Sequence, residues 1–339
     1  MDKGERAIRF IQQLRLPDGE LFPLQPWQAE FLRKLFGTLT PENRRQYRKA
    51  LLFLPRKNGK STFAAAIALY CLFCEKEPNR QIYSCAPTRK QASFVFNEAV
   101  KMIRSNKTLR RLVTIVESQK LIKLKDGSGI YQALSGDSAR SSGYNASHVI
   151  YDELHESPDR RLWDVMATSQ GSRKEPLLLA ITTAGVFDKE HICWEIYQQA
   201  KEAKKEPATY ADFLPVIYEA DEKDDWQDEQ TWKKANPNYG ISKQAEYMRS
   251  MAFDAIKYPT KLNAFLRYEL NIWVNSECGF IPMEQWERCG KKPIDLAALK
   301  GKQCWAGLDY ALVNDITALV LAFPQEDGSW VILSRFWIP

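Results

Sequence analysis

The residues best suited to chemistry in this sequence are Gly59, Lys60 and Ser61, which stand between an apolar run and a helical pattern. The run Leu51–Leu54 is typical of a strand and Phe63–Leu69 of a helix, and Gly-Lys-Ser between such elements is the pattern of a phosphate-binding loop. In such a loop backbone amides hold phosphates, the Lys60 ammonium neutralises β- and γ-phosphate charge, and the Ser61 hydroxyl binds Mg²⁺. The other loop residues predicted to contact a nucleotide are Arg56, Lys57, Asn58 and Thr62.

The loop departs from the usual pattern at one position, because Leu54 stands where G-x-x-x-x-G-K-[ST] has its first glycine. The alternative is therefore that Gly-Lys-Ser occurs here by chance. The other motifs of a P-loop ATPase must distinguish a phosphate loop from such a coincidence. Two adjacent carboxylates, Asp152 and Glu153, end the strand-like run His148–Tyr151. Asp152 fits a ligand of the Mg²⁺ ion and Glu153 the residue that orients the attacking water, the alternative being an ordinary acidic pair at a strand end.

Composition indicates a globular protein, since 45% of the 339 residues are hydrophobic. Neither a run long enough to span a membrane nor a signal peptide is visible, so we expect a cytosolic protein without a membrane partner. Seven scattered cysteines argue against a disulfide framework. The net charge of +6 and the basic run from Lys101 to Lys125 are compatible with a polyanionic partner, although such a run is more often a solvated surface.

The elements predicted around these motifs alternate between strands and helices, which is typical of an α/β fold with a mainly parallel sheet. Four strands are predicted in the first 200 residues, at 51–54, 81–85, 147–151 and 177–181. From residue 201 to 295 helical patterns dominate. Strands return at 304–308, 316–323 and 330–333.

Taken in order, these motifs resemble the large terminase subunit of tailed bacteriophages. The phosphate loop of that family often lacks the first glycine and carries an arginine four residues before the lysine, as Arg56 stands before Lys60. The resemblance implies that Arg56 senses or stabilises the γ-phosphate, a task that suits a permanently charged guanidinium. It also implies ATP and Mg²⁺ as cofactors, with Glu153, Arg56 and Lys60 as catalytic residues.

Further segments resemble the family's motifs. Gln28, in Pro26-Trp27-Gln28, resembles an adenine-recognising residue, because a glutamine amide can donate to and accept from a base edge. The segment Cys85–Ala92 resembles one that faces DNA. Thr183, in Thr182–Gly185, lies in a segment that resembles a motif coupling hydrolysis to movement, and Arg140 is a candidate for an arginine that reaches a neighbouring subunit. The stretches Ala235–Gly240 and Leu266–Trp273 resemble parts of a linker subdomain with packing and hinge roles.

The last predicted strands resemble the opening of an RNase H-like nuclease domain. Asp309 and, more weakly, Asp315 are its candidate ligands for a second divalent-metal site, for Mg²⁺ or Mn²⁺, which such a domain forms when complete. The resemblance therefore implies a P-loop (RecA/ASCE-like) ATPase domain at residues 1–200, a helical linker subdomain at 201–295 and an incomplete nuclease domain at 296–339. Endonuclease activity stays uncertain, since the other metal carboxylates are expected beyond Pro339.

The resemblance implies an ATP-hydrolysing motor that moves double-stranded DNA into a procapsid. Its implied partners are the portal protein, the small terminase subunit and further copies of itself in a ring. Its implied location is the bacterial host's cytoplasm and not the mature virion. Two alternatives stay open: a helicase-like ATPase of repair or restriction, and a prophage remnant that does not package DNA.

Overall fold

The computed structural model describes residues 2–136, 143–275, 283–290, 293–311 and 316–337. They divide into two compact units, Met1–Phe280 and Ile281–Pro339. The strands of the first unit are β1 Lys49–Phe53, β2 Arg80–Ala86, β3 Val113–Val116, β4 Leu121–Leu124, β5 Gly129–Ser135, β6 His148–Asp152, β7 Leu177–Thr182 and β8 Phe213–Ile217. Its helices are α1 Lys3–Gln12, α2 Pro26–Gly37, α3 Lys60–Cys74, α4 Arg89–Ser105, α5 Lys107–Leu112, α6 Arg161–Thr168, α7 Ile192–Lys205, α8 Glu229–Ala235, α9 Ala245–Lys257 and α10 Leu262–Leu270.

Among the described residues, these eight strands form one sheet in the order β3-β4-β5-β2-β6-β7-β1-β8. The strands from β5 to β8 in that order are parallel, whereas β3 and β4 are antiparallel. Every residue of β6 and β7 is buried, as expected for central strands of a parallel sheet covered on both faces. The predicted α/β class is confirmed, and the predicted strands correspond to β1, β2, β6 and β7.

Helices cover both faces of this sheet. One face packs in a cluster with α1, α2, α3 and α4, and the opposite face packs with α6 and α7. Helix α3, which follows the phosphate loop, is apolar on all sides and almost entirely buried. The loop at its N-terminus is therefore attached to one of the most rigidly packed elements of the fold.

Helices α8, α9 and α10 pack around Trp232, Met248 and Phe265 in a third cluster. Beside it the Lys243 ammonium lies 2.5 Å from a carboxylate oxygen of Glu269, and both side chains are excluded from solvent. Tyr247 donates to the other carboxylate oxygen at 3.0 Å. Burial lowers the pKa of Lys243 to about 8, and the Glu269 carboxylate opposes this shift.

The second unit contains α11 Met283–Cys289 and the strands β9 Trp305–Asp309, β10 Thr317–Pro324 and β11 Trp330–Trp337. Over the residues described there, the strands pair antiparallel in the order β11-β10-β9. They correspond to the last three predicted strands. None of the described helices is both long enough and apolar enough to cross a membrane.

The buried pair gives a test of the packing of α8–α10. We expect Lys243→Ala to lower the free energy of unfolding by about 3 kcal/mol, because it leaves the Glu269 carboxylate buried without its cation. Lys234→Ala is the matched control, since Lys234 pairs with Asp221 and Asp224 on the surface and should cost less than about 1 kcal/mol. Urea denaturation of both variants measures the difference. Equal costs would contradict the assigned role of the buried pair.

Candidate functional site

The predicted chemical groups meet at the carboxyl edge of three adjacent strands. The phosphate loop follows β1, the two carboxylates end β6, and Thr182 and Thr183 end β7. Register places Phe53 beside Thr182 and Asp152 beside Ile181. Ligand sites of open α/β sheets lie at this edge.

The Lys60 side chain is buried at the centre of this edge. Its ammonium donates to the carbonyls of Leu54 at 3.1 Å and Pro55 at 3.3 Å, and to the Thr183 hydroxyl. The Thr183 hydroxyl in turn donates to the Leu54 carbonyl at 3.1 Å. Burial lowers the pKa of Lys60, and the Glu153 and Asp152 carboxylates oppose this shift. Lys60 and Thr183, which are 123 residues apart in the sequence, thus lie in direct contact.

Ser61 and Asp152 also lie together, because the Ser61 hydroxyl donates to the Asp152 carboxylate at 3.2 Å. The Asp152 carboxyl is buried, and this burial, with the Glu153 carboxylate as second cause, raises its pKa to about 7. A carboxylate and a hydroxyl side by side supply the oxygen ligands that Mg²⁺ prefers. A divalent cation bound there would also offset the free-energy cost of ionising the buried Asp152 carboxyl. The residues present therefore fit the predicted metal.

Glu153 occupies a left-handed conformation (φ 54°), which is uncommon for a residue other than glycine, asparagine or aspartate. Its backbone amide donates to Ile181 on β7 at 3.1 Å. One carboxylate oxygen lies 3.3 Å from Nδ1 of His155, whose own amide donates to the Thr182 hydroxyl at 3.0 Å. Neither His155, which lies beside this carboxylate, nor Thr182, which holds His155, was predicted from the sequence. Their positions at or just after two strand ends were the available sign.

The Arg56 side chain contacts Tyr268 on α10 and the Glu156 carboxylate. Its guanidinium lies 3.6 Å from the centre of the Tyr268 ring and 3.2 Å from a carboxylate oxygen of Glu156. Its backbone amide donates to the Tyr268 carbonyl at 3.0 Å. Helix α10 therefore holds both the main chain and the side chain of this residue.

The remaining loop residues have distinct environments. Lys57 is exposed with φ 66°, Gly59 has φ 78°, and Asn58 between them is fully buried. Thr62 is half-buried and, with Ser61, lines a cavity of about 730 Å³ that extends towards α4. The positive φ angle explains the glycine at position 59, since this conformation is strained for most other residues.

The predicted adenine-recognising residue, Gln28, is buried near the start of α2. Its amide oxygen accepts the backbone N–H of Gln25 at 2.9 Å and so caps this helix. A nucleotide base would therefore have to share or replace that oxygen. The adenine role of Gln28 stays a prediction.

Asp309 is the exposed last residue of β9, in the second unit. Asp315 and Arg140 lie outside the described residues. Within the ranges that the structure describes, no group of three or more histidine, cysteine, aspartate or glutamate side chains is placed to hold a metal ion. The second metal site stays a prediction.

Comparisons with known proteins show which family the chain resembles. The family model for the terminase large subunit, ATPase domain, matches residues 26–202, and the one for its endonuclease domain matches residues 208–339. The large terminase subunit of Enterobacteria phage HK97 is 33% identical over the whole of this chain, which spans 66% of that protein. Protein YmfN of Escherichia coli K12 is 31% identical over 59% of this chain and 45% of its own length.

The crystal structure of the HK97 large terminase is similar as well, with a TM-score of 0.72 and 31% identity over 99% of this chain and 68% of that one. The phosphate loop, the acidic strand end and the parallel sheet together define a P-loop ATPase. More specifically, the chain belongs to the terminase large subunit family.

The raised pKa of Asp152 gives a test of the burial of this carboxyl group. The folded protein keeps this proton up to about pH 7, whereas the ordinary pKa is 3.8, so folding stability falls as pH rises through this interval. Asp152→Asn cannot ionise. The free energy of unfolding of Asp152→Asn, minus that of the unmodified chain, should therefore increase by on the order of 2 kcal/mol from pH 5 to pH 8.

Urea denaturation without metal or nucleotide measures this difference. Asp164→Asn, on the exposed surface of α6, is the control and should show no such growth. A difference between Asp152→Asn and the unmodified chain that does not change with pH would contradict the buried, protonated carboxyl.

Proposed function

We propose that this chain hydrolyses ATP to drive double-stranded DNA into a procapsid. The observation that carries the proposal is the convergence of Lys60, Ser61, Asp152 and Thr183 at one sheet edge. This arrangement supports the proposal, because a P-loop ATPase needs a lysine for the phosphates and oxygen ligands for the metal within one nucleotide's reach. An accidental Gly-Lys-Ser loop has no reason to pack against two further strand ends.

In the proposed reaction the amides of residues 57–62 hold the phosphates, and Lys60 exchanges its two carbonyl partners for β- and γ-phosphate oxygens. Ser61 and Asp152 would hold Mg²⁺, and a bound Mg²⁺ would supply positive charge that stabilises the leaving phosphate oxygens. Glu153 orients the attacking water, with its carboxylate fixed beside His155. Arg56 supplies a further charge at the γ-phosphate and must first leave Glu156.

Two observations support DNA as the polymer that the proposed motor moves: the chain belongs to the terminase family, and it carries exposed basic side chains. Lys107, Arg110 and Arg111 project from α5 into solvent. Contacts of this kind to DNA phosphates are independent of base sequence, as a motor that accepts any sequence requires. Binding should accordingly weaken as salt increases.

The assembly is proposed on family grounds alone. The partners are the portal protein, the small terminase subunit and other copies of this chain in a ring, in the host cytoplasm and apart from the mature virion. Residues 208–339 match the endonuclease model, which adds DNA cleavage as a further proposed activity. Asp309 and Asp315 are its proposed ligands for Mg²⁺ or Mn²⁺. The predicted domain boundaries at 200/201 and 295/296 are retained as part of this proposal.

The role of Glu153 is tested by Glu153→Ala. We expect DNA-stimulated ATP turnover to fall at least about 100-fold, because the attacking water loses the group that orients it. Binding of ATP should change less than about threefold, since Glu153 lies outside the phosphate loop. The measurements are phosphate release with duplex DNA and fluorescence titration with a labelled ATP analogue.

Glu190→Ala, on an exposed turn, is the matched control and should leave both quantities unchanged. Normal turnover in Glu153→Ala would show that another group orients the water. Strand displacement on a forked duplex by the unmodified chain would favour the helicase-like alternative instead.

A further inference from the structure

The loop between α8 and α9 is joined to the phosphate loop by reciprocal hydrogen bonds of Asn58. The Asn58 side-chain NH₂ donates to the Asn236 side-chain oxygen at 2.9 Å. In return, the backbone N–H of Asn238 donates to the Asn58 side-chain oxygen at 3.1 Å. The Asn238 side-chain NH₂ donates to the Asn58 carbonyl, also at 3.1 Å. Residues about 180 positions apart in the sequence thus form one buried amide network.

A second contact holds the preceding peptide. The Ser242 hydroxyl donates to the Lys57 carbonyl at 2.8 Å. Consecutive carbonyls of the phosphate loop, those of Lys57 and Asn58, are therefore both bound by residues of the α8–α9 loop. We call the segment Asn236–Ser242 the amide clamp.

The direction of these carbonyls sets the direction of two amides. Among the described residues every peptide bond is trans, and in a trans peptide the C=O and N–H groups point in opposite directions. Fixing the Lys57 carbonyl therefore turns the Asn58 N–H away from the clamp, and fixing the Asn58 carbonyl does the same for the Gly59 N–H. Both amides then point away from the clamp and are free of its contacts, as amides that are to hold phosphate oxygens must be.

The clamp is itself firmly anchored. The Asn236 side chain donates to the carbonyls of Trp232 at 2.9 Å and Glu269 at 2.8 Å, which join it to α8 and α10. The Asn238 side-chain oxygen accepts the indole N–H of Trp27 at 2.7 Å. A buried amide network in which each group has a partner holds one geometry, because any rearrangement leaves a polar group unsatisfied.

We propose that the amide clamp holds the phosphate loop in its phosphate-binding conformation, so that Asn58, Asn236, Asn238 and Ser242 are positioning residues for ATP binding. This inference rests on the proposed function, because it assigns the loop to a nucleotide. The clamp acts on backbone amides, and in a P-loop the backbone amides cradle the α- and β-phosphates. It should therefore affect ADP and ATP alike, unlike a group that senses only the γ-phosphate.

The clamp also gives the helical segment a direct connection to the nucleotide. A change in the position of α8 or α10 changes the direction of the loop amides, and occupation of those amides by phosphate favours the clamped arrangement. Coupling of this kind is reciprocal: whatever the helices do to nucleotide affinity, the nucleotide does to the helices.

The test uses the whole chain and two fluorescent probes, labelled ADP and a labelled nonhydrolysable ATP analogue, with Mg²⁺. Ser242→Ala removes one contact at an exposed position and should weaken both probes about threefold to tenfold. Asn238→Ala removes the contact to the Asn58 carbonyl and should weaken both at least about tenfold. Ser242→Thr keeps the hydroxyl, so its affinity for both probes should lie within about twofold of that of the unmodified chain.

Asn106→Ala is the matched control. Asn106 caps α5 and has no contact with the phosphate loop, and loss of such a cap destabilises a protein by about 1 kcal/mol. Its probe affinities should equal those of the unmodified chain at a temperature where thermal unfolding shows all variants folded.

Three outcomes would contradict the proposed role of the amide clamp in nucleotide binding. These are unchanged affinity in Ser242→Ala and Asn238→Ala, equal weakening in Asn106→Ala, or weakening confined to the ATP analogue. In each of these the unmodified chain still binds nucleotide, so the proposed function survives. Failure of the unmodified chain to bind either probe would overturn the proposed function itself, and the clamp with it.

Discussion

The burial of the Lys60 ammonium is the constraint on which the rest of the site depends. A buried charge costs several kcal/mol unless other groups compensate it. Here the compensation comes from the ends of three strands: carbonyls after β1, the carboxyl groups of Glu153 and Asp152 at the end of β6, and the Thr183 hydroxyl after β7. The parallel sheet brings these ends to one edge. In the proposed reaction, a nucleotide polyphosphate would replace the neutral carbonyl partners of Lys60 with negative charges.

The helices after residue 228 belong to this site as much as the sheet does. Tyr268 on α10 holds Arg56, and the amide clamp holds Asn58. Asn271 completes the set, since its side chain accepts the Ala184 amide at 2.7 Å and donates to the Tyr218 carbonyl at 2.8 Å. Movement of the helices would thus reach the phosphate loop and the segment after β7 together. This is the physical form that coupling between hydrolysis and motion takes in the proposed motor.

Sequence reasoning predicted what depends on local pattern. Apolar runs that end in polar clusters located β1, β2, β6 and β7, and the motif at Lys60 with the acids after β6 located the centre of the site. Four strands of this sheet were missed. The edge strands β3 and β8 have no continuous apolar run, because β3 is half-exposed and β8 contains Pro215. In β4 and β5, polar residues interrupt the apolar ones. Contacts between distant residues were also missed. The partners of Arg56 and Asn58 lie 100 and 178 residues away, and only the fold brings them together.

The central claim is that this sheet edge binds the triphosphate of ATP with Mg²⁺, and the most direct measurement is a crystal structure with ADP, beryllium fluoride and Mg²⁺. Phosphate oxygens should lie about 3 Å from Lys60 Nζ and from the amide nitrogens of Asn58 and Gly59. Mg²⁺ should lie about 2.1 Å from the Ser61 hydroxyl oxygen. A nucleotide bound elsewhere, with Lys60 still bonded to the Leu54 and Pro55 carbonyls, would contradict this claim.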